Sequence, residues 1–502
     1  MSLGNEVEAS SQRQILRSSF LIGGSSLINV LVGLLRIKVV AILLGPSGVG
    51  LLGILNNTMS VGAAISGLGV NSAATRQVAE ANSIGNMQAL AEVRRALLIA
   101  SIGLAFIGGF LFWFLRDDIS KTVLDNDEYN WAVGWLAFGL IFIVISAGFK
   151  SLLTGMRMVA ELAKVTILSA LISTVIGVAG IYFFEDYGVV LLVIVAPLSV
   201  LVMSFYYMSL IDHARVEFLS FKGLRYQWGK LFKLGLAFML AGLAGTLGDL
   251  VVKSLVQKNL GMEGLGYFQA SWIISMTYVG FVLAAMGTDY YPQLSSCIRD
   301  KKKAESLVND QSEIAILLAG PIILMMLSLA PWIIQLLYSK EFFLAAPLLK
   351  LLIFGDVLRV ISWPLGFVVI ASGKGKLFVF SEVFVTVLFV LAVWFFVDRG
   401  GLEAVGFAFI LKYIIYVPVV YFMAKKIIGF SWSGSVKKEM TILIFFSGLV
   451  GCLSSVNYWL VVLSVFVSLV VALRSVKKIS EMSGLLEGWP RIAKVFKKLR
   501  LL

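Results

Sequence analysis

From residue 18 to residue 423 the chain is a succession of apolar runs, each long enough to cross a bilayer as a helix, and that requirement is about 20 predominantly apolar residues. Twelve clear runs fall at 18–44, 50–73, 95–115, 131–152, 164–184, 188–210, 232–256, 266–290, 313–338, 345–370, 376–397 and 403–423, and two shorter ones follow at 440–456 and 458–474. In hydrocarbon every backbone polar group needs an internal partner, so runs of this length commit the chain to helices. Only 14% of the residues are charged, against about a quarter in soluble domains. So little charge cannot coat several water-facing globules, which excludes a large soluble catalytic domain.

Lys and Arg are distributed unevenly. With both termini in the cytoplasm, the inner segments hold 31 of the 42 and the outer loops only Arg116, Lys121, Lys258, Lys340 and Arg399. By the positive-inside rule this sets the orientation and favours an even number of spans, fourteen in all, with a re-entrant hairpin as the alternative for the last two. The formal charge of +13 is dispersed through short loops, and a nucleic-acid partner, which requires a clustered basic face, is not expected.

Gly45-Pro46-Ser47-Gly48-Val49-Gly50 recurs 216 residues later as Gly261-Met262-Glu263-Gly264-Leu265-Gly266, and Ile145-Ser146 maps onto Ile361-Ser362 at the same offset. Gly155 matches Gly373 within two residues. The pattern describes two parallel six-helix halves around a central cavity. The expected architecture is therefore an all-α polytopic membrane protein: a six-helix bundle over 1–231, a second over 232–426, two extra helices over 427–476 and a cytoplasmic amphipathic tail over 477–502.

Six cations fall within the expected spans: Arg36, Lys38, Lys253, Lys350, Arg359 and Lys412. A charge at a helix centre costs about 2.5–3.5 kcal/mol on insertion scales, so the set points to a polar or ligand-filled interior. Asp249 and Asp356 are the acids counted as comparably deep, leaving the interior cationic. Ser26, Asn29, Gly33 and Arg36 share one helical stripe, whereas Lys38 lies about 200° round from Arg36 and is expected to snorkel outward. At the repeat offset the stripe becomes Gly242, Gly245 and Asp249, extended one turn by Lys253. Asp356, Arg359 and Trp363 share a face, and Lys412 lies one turn from Tyr416.

Guanidinium and ammonium groups bind phosphate or carboxylate, and Trp and Tyr suit sugar faces. The candidate substrate-binding set is thus Arg36, Lys253, Arg359, Lys412, Trp363, Tyr416 and Asn29, with Asp249 and Asp356 as ion-coupling candidates. Intrahelical ion pairs, Asp249 with Lys253 and Asp356 with Arg359, are the structural alternative. An interfacial aromatic belt accounts for Tyr267, Tyr290, Tyr291 and Trp332.

No catalytic or metal-binding constellation emerges. His213, the only histidine, falls in a loop, and Cys297 and Cys452 suggest neither a disulfide framework nor a metal site. Ser372-Gly373-Lys374-Gly375-Lys376 lacks the spacing of a phosphate loop. No cofactor is expected, and the tail, with Ile492, Val495, Phe496 and Leu499 among basic residues, reads as an interfacial helix on membrane lipid.

Leu43-Leu44-Gly45-Pro46-Ser47-Gly48-Val49-Gly50, followed by Ser66-Gly67-Leu68-Gly69-Val70-Asn71 and Arg76-Gln77-Val78-Ala79-Glu80, resembles the O-antigen and polysaccharide flippases of the multidrug/oligosaccharidyl-lipid/polysaccharide exporter superfamily. The resemblance covers about residues 10–425. It implies two six-helix bundles and movement of an undecaprenyl-pyrophosphate-linked oligosaccharide from the cytoplasmic to the outer leaflet of the bacterial inner membrane, upstream of a polysaccharide polymerase machinery. The two extra C-terminal segments depart from the common twelve-helix pattern and are also seen in related peptidoglycan-precursor flippases. A cation-coupled drug exporter of the same fold and a polytopic glycan polymerase or ligase are the alternatives; the first prefers an acidic or apolar cavity and the second a sizeable outer loop. On the flippase reading, alanine at Arg36, Arg359 or Lys412 is expected to impair export without affecting folding.

Overall fold

The computed structural model describes residues 2–85, 87–210, 221–454 and 458–483. His213 and the tail beyond residue 483 lie outside them. The helices in chain order are α1 (Ser2–Gly67), α2 (Val70–Ile84), α3 (Met87–Phe114), α4 (Arg116–Leu124), α5 (Asn130–Gly155), α6 (Val159–Phe184) and α7 (Asp186–Ser209), then α8 (Phe221–Cys297), α9 (Lys301–Leu337), α10 (Ala345–Ala371), α11 (Gly375–Ile428), α12 (Gly434–Leu453) and α13 (Tyr458–Ser483). Among the described residues there is no strand, and the apolar runs read from the sequence are helical but for a residue or two at their ends. The exceptions are the run 50–73, broken by the Leu68–Gly69 turn between α1 and α2, and the run 440–456, which extends beyond the described residues. Among the described residues, nine helical stretches are long and apolar enough to span. The all-helical polytopic architecture expected from run length is the architecture observed.

Three stretches are two helices joined across one residue that leaves helical geometry: Gly45 in α1, Gly261 in α8 and Gly401 in α11. Each has positive φ (63°, 72° and 56°), a region open to glycine at no steric cost. Pro46 follows the first break, where a fixed φ and a missing N–H suit a helix start.

The positive-φ positions carry the internal repeat further than the sequence does. Gly45 pairs with Gly261, Arg157 with Gly373 and Glu185 with Gly401, each at an offset of 216 residues. Gly373 therefore corresponds to Arg157 and not to Gly155, because backbone conformation, rather than residue type, is what the duplication keeps. Where the second half uses glycine, the first holds Arg157 at φ 57° and Glu185 at φ 49°. A side chain there costs roughly 1–2 kcal/mol. Glu185→Gly is accordingly expected to raise stability by about 1 kcal/mol, read as a higher thermal midpoint in micelles; an unchanged or lower midpoint would contradict the assignment of strain.

Contacts divide the chain at Gly266, one helix beyond the repeat boundary at 231. In the first unit α2, α3, α5, α6, α7 and the start of α8 share a core that includes Val78, Val93, Leu97, Leu152 and Leu231. The repeated glycines meet directly: a Cβ on Gly50 would lie 2.4 Å from the Met262 carbonyl oxygen, and one on Gly266 only 1.9 Å from that of Pro46. Small residues allow backbones this close.

In the second unit α10 packs against α9 and α11, while α12 and α13 pack on α9. Glu305, Asn309 and Glu313 lie four residues apart on α9 and therefore on one face. Glu305 accepts from the Ser431 backbone N–H at 3.0 Å and Asn309 from that of Ser433 at 2.8 Å. Glu439, 2% exposed, receives both guanidinium nitrogens of Arg474 at 2.6 and 2.7 Å, and Lys478 bridges Glu439 and Glu313. Both C-terminal segments are thus docked helices. Lys350, counted among the intramembrane cations, donates to the Ser454 carbonyl oxygen at 2.8 Å, where a cation complements the C-terminus of α12.

Candidate functional site

Helical spacing on α10 places Arg359, Trp363, Gly366 and Ile370 along one stripe. The reversal of α11 at Gly401 brings its two halves together, so that Glu382 and Tyr416 meet although 34 residues apart. The three segments enclose a cavity of about 330 Å³ lined by Arg359, Trp363, Glu382, Lys412, Tyr413 and Tyr416 together with Phe367 and Phe378. Four expected substrate-binding residues, Arg359, Trp363, Lys412 and Tyr416, are therefore brought into one cavity.

Arg359 is held from behind. Asp356, fully buried, lies 3.3 Å from Arg359 Nη1 and accepts a hydrogen bond from Ser275 Oγ at 2.5 Å, while Arg359 Nη1 also donates to Met276 Sδ at 3.2 Å. Asp356 does not line the cavity. Its carboxylate orients the guanidinium and leaves the other donors of the fork for a ligand. Lys412 Nζ lies 5.5 Å from the ring centroids of both Phe389 and Tyr413, distances at which a ring face attracts a cation. Tyr416 donates to Glu382. The cavity thus presents two cations and one carboxylate between aromatic walls, a combination that can hold an anionic group and stack sugar rings.

Tyr290 belongs to the frame of this site and not to an interfacial belt. It is 2% exposed, its hydroxyl donates to the Pro364 carbonyl oxygen at 3.0 Å, and its ring meets Trp363 and Phe367. Tyr267 is likewise buried, against Phe342, whereas Tyr291 and Trp332 are exposed as a belt requires.

The remaining candidates lie in the first unit. Lys253 is 6% exposed. With the Asn57 amide turned to satisfy both its ends, its oxygen accepts from Lys253 Nζ at 3.1 Å and its nitrogen donates to the Thr246 carbonyl oxygen at 3.3 Å. Asp249 is the electrostatic neighbour of Lys253 one turn away. Arg36 and Lys38 are half-buried and Asn29 is exposed. Among the described residues no His, Cys, Asp and Glu cluster could hold a metal ion.

Glu382 is the residue that sequence reasoning missed. It sits two turns into the run 376–397, close enough to Lys376 to read as an end-of-helix charge, and its partner Tyr416 is supplied by the far arm of α11. An acid two turns inside an apolar run was the available signal.

A polytopic helical protein with a partly open cavity that offers charge and aromatic surface has the form of a transporter. Comparison with known proteins agrees and narrows it. The chain belongs to the polysaccharide biosynthesis protein family, whose model matches residues 39–347. It is 25% identical over 412 residues to the lipid III flippases of Escherichia coli (strain K12) and Shigella flexneri, covering 80% of this chain and 96% of each relative. Among solved structures it resembles the lipid II flippase MurJ in an inward closed conformation (TM-score 0.69, 14% identity, 92% of this chain and 99% of that one). It also resembles an inward-facing multidrug resistance MATE family transporter of the MOP superfamily (TM-score 0.68, 18% identity, 82% and 96%). At these identities the structures share the fold alone. The family resemblance drawn from the Leu43–Gly50 segment is borne out.

Proposed function

We propose that this protein translocates a lipid-linked oligosaccharide, carried on undecaprenyl pyrophosphate, from the cytoplasmic to the outer leaflet of a bacterial inner membrane by alternating access, with both termini cytoplasmic. The observation that carries the reading is the cavity in which Arg359 and Lys412 face a common space between aromatic walls. A pyrophosphate is a di-anionic group with oxygens spaced for a guanidinium fork, and the sugars that follow it have apolar faces that stack on Trp and Tyr. Kinship with lipid III flippases supports a lipid-linked cargo. Arg36, Lys253 and Asn29 of the first unit are proposed as further substrate contacts, and a polysaccharide polymerase machinery would take the product on the outer face. Asp249 and Asp356 remain the assignments for ion coupling; Glu382, which faces the cavity, joins them.

The test is the leaflet distribution of lipid-linked sugar in cells lacking the protein, with and without its restoration. Cytoplasmic-face accumulation of undecaprenyl-pyrophosphate oligosaccharide, relieved by restoration, is the expected result. Normal flipping with altered drug sensitivity would sink the proposal in favour of an exporter, and outer-leaflet accumulation of unpolymerised units would do so in favour of a polymerase. Lys412→Ala removes an ammonium that sits over the Phe389 and Tyr413 rings in the cavity. It should reduce transport roughly ten-fold or more at normal protein level, the value of a lost hydrogen bond to a charged group. Wild-type transport by that variant would remove Lys412 from the site.

A further inference from the structure

The first unit contains a second polar cavity, built from the Arg76-Gln77-Val78-Ala79-Glu80 segment that the transport site does not use. About 660 Å³ in volume, it lies between α2, α3 and the start of α8. Arg76 and Glu80 of α2 and Lys230 and Lys233 of α8 form its rim, and Ala81, Val93 and Leu234 line its apolar side. Glu80 offsets one of the three cations, leaving the rim net positive.

The groove is a fixed feature of the fold. Gly69, at φ +64°, lets the α1–α2 turn press on α8 so closely that a Cβ there would stand 2.1 Å from the Gly235 carbonyl oxygen. Trp228 Nε1 donates to the Ala96 carbonyl oxygen at 3.0 Å and Gln227 Nε2 to Glu92 at 3.4 Å, fastening α8 to α3. Beneath the groove Val78, Val93 and Leu231 belong to the core of the unit. Lys233, Leu236 and Leu240 follow at spacings of three and four along one face of α8, and Leu236 and Leu240 are 47% and 56% exposed. Ile84 on the opposite wall is 73% exposed. A cationic rim thus continues directly into an apolar helix face.

We propose that this groove holds the phosphate headgroup of an anionic membrane lipid, with its acyl chain laid along Leu236 and Leu240. The two chemistries present, a multi-cation rim for phosphate oxygens and an adjoining uncovered aliphatic stripe, are those of a phospholipid in that order along the helix. By the Lys and Arg asymmetry this face meets the inner leaflet. The site is separate from the α10–α11 cavity and does not depend on which cargo that cavity takes.

The experiment uses the full chain in micelles and measures binding of phosphatidylglycerol against phosphatidylcholine of identical chains. Undecaprenyl pyrophosphate and inorganic phosphate serve as competitors, and the variant carries Arg76→Gln, Lys230→Gln and Lys233→Gln. All three side chains are exposed, so the variant should keep the parent thermal midpoint in phosphatidylcholine; Lys233→Gln alone serves if it does not. The expected result is selective retention of phosphatidylglycerol, weakened about five-fold per cation removed and weakened by salt. Equal retention by parent and variant would overturn the proposal. So would displacement by inorganic phosphate at equal concentration, which would mark a site for a soluble anion, or tighter binding of undecaprenyl pyrophosphate, which would mark a station for cargo.

Discussion

Arg359→Ala is expected to lower the stability of the folded protein by about 3–5 kcal/mol, the cost of stripping one partner from a buried ion pair, as well as to abolish transport. The reason is Asp356, whose carboxylate is 0% exposed and is left with Ser275 alone when the guanidinium is gone. This revises the expectation that alanine at Arg359 spares folding. The two roles separate in a double variant: Asp356→Asn added to Arg359→Ala should restore much of the thermal midpoint while transport stays lost. Recovery of transport together with stability would show that Arg359 acts only through the fold. Equal midpoints for Arg359→Ala and the parent would show that Asp356 does not depend on it.

The second large effect concerns glycines far from any ligand. Gly266→Ala forces a methyl group to within 1.9 Å of a backbone oxygen, and Gly50→Ala does the same at 2.4 Å from the equivalent atom of the other repeat. Overpacking costs typically 1–3 kcal/mol, and these positions belong at the top of that range because the obstacle is main chain, which has no rotamer to yield. Thermal midpoints and membrane yield of the two variants check this, with Gly261→Ala as a comparison that meets no neighbour but is strained by its positive φ. Parent-like midpoints for Gly266→Ala would mean the two segments do not pack as described.

Legibility followed the range of the interactions. Helices could be read because their cause, some 20 residues of apolar side chain in hydrocarbon, is local. The breaks at Gly45 and Gly261 could be read because glycine announces them. Arg157 and Glu185 adopt the same backbone geometry without glycine, so only the three-dimensional chain reveals them. Of the cavity, Arg359 and Trp363 were legible as neighbours on one helix, as was the Lys412 and Tyr416 pair. That α10 and both arms of α11 enclose one space was not, because it depends on the reversal at Gly401. Lys350 shows the converse: a cation deep in an apolar run suggested ligand chemistry, and its partner turned out to be the end of α12, 104 residues away.

The docking of α12 and α13 also constrains how such a chain can change over generations. Glu305, Asn309 and Glu313 on α9 find their partners in the linker before α12 and, through Lys478, in α13. Deleting the last two helices would strip Glu313, at the start of the span, of Ser435 and Lys478, and would leave the linker that pairs with Glu305 and Asn309 without the helices that hold it in place. A lineage shortening its gene here would have to replace or re-pair Glu313 at the same time. One gaining the helices would need the polar stripe first. The appendage and the face of α9 beneath it are therefore inherited as a single unit.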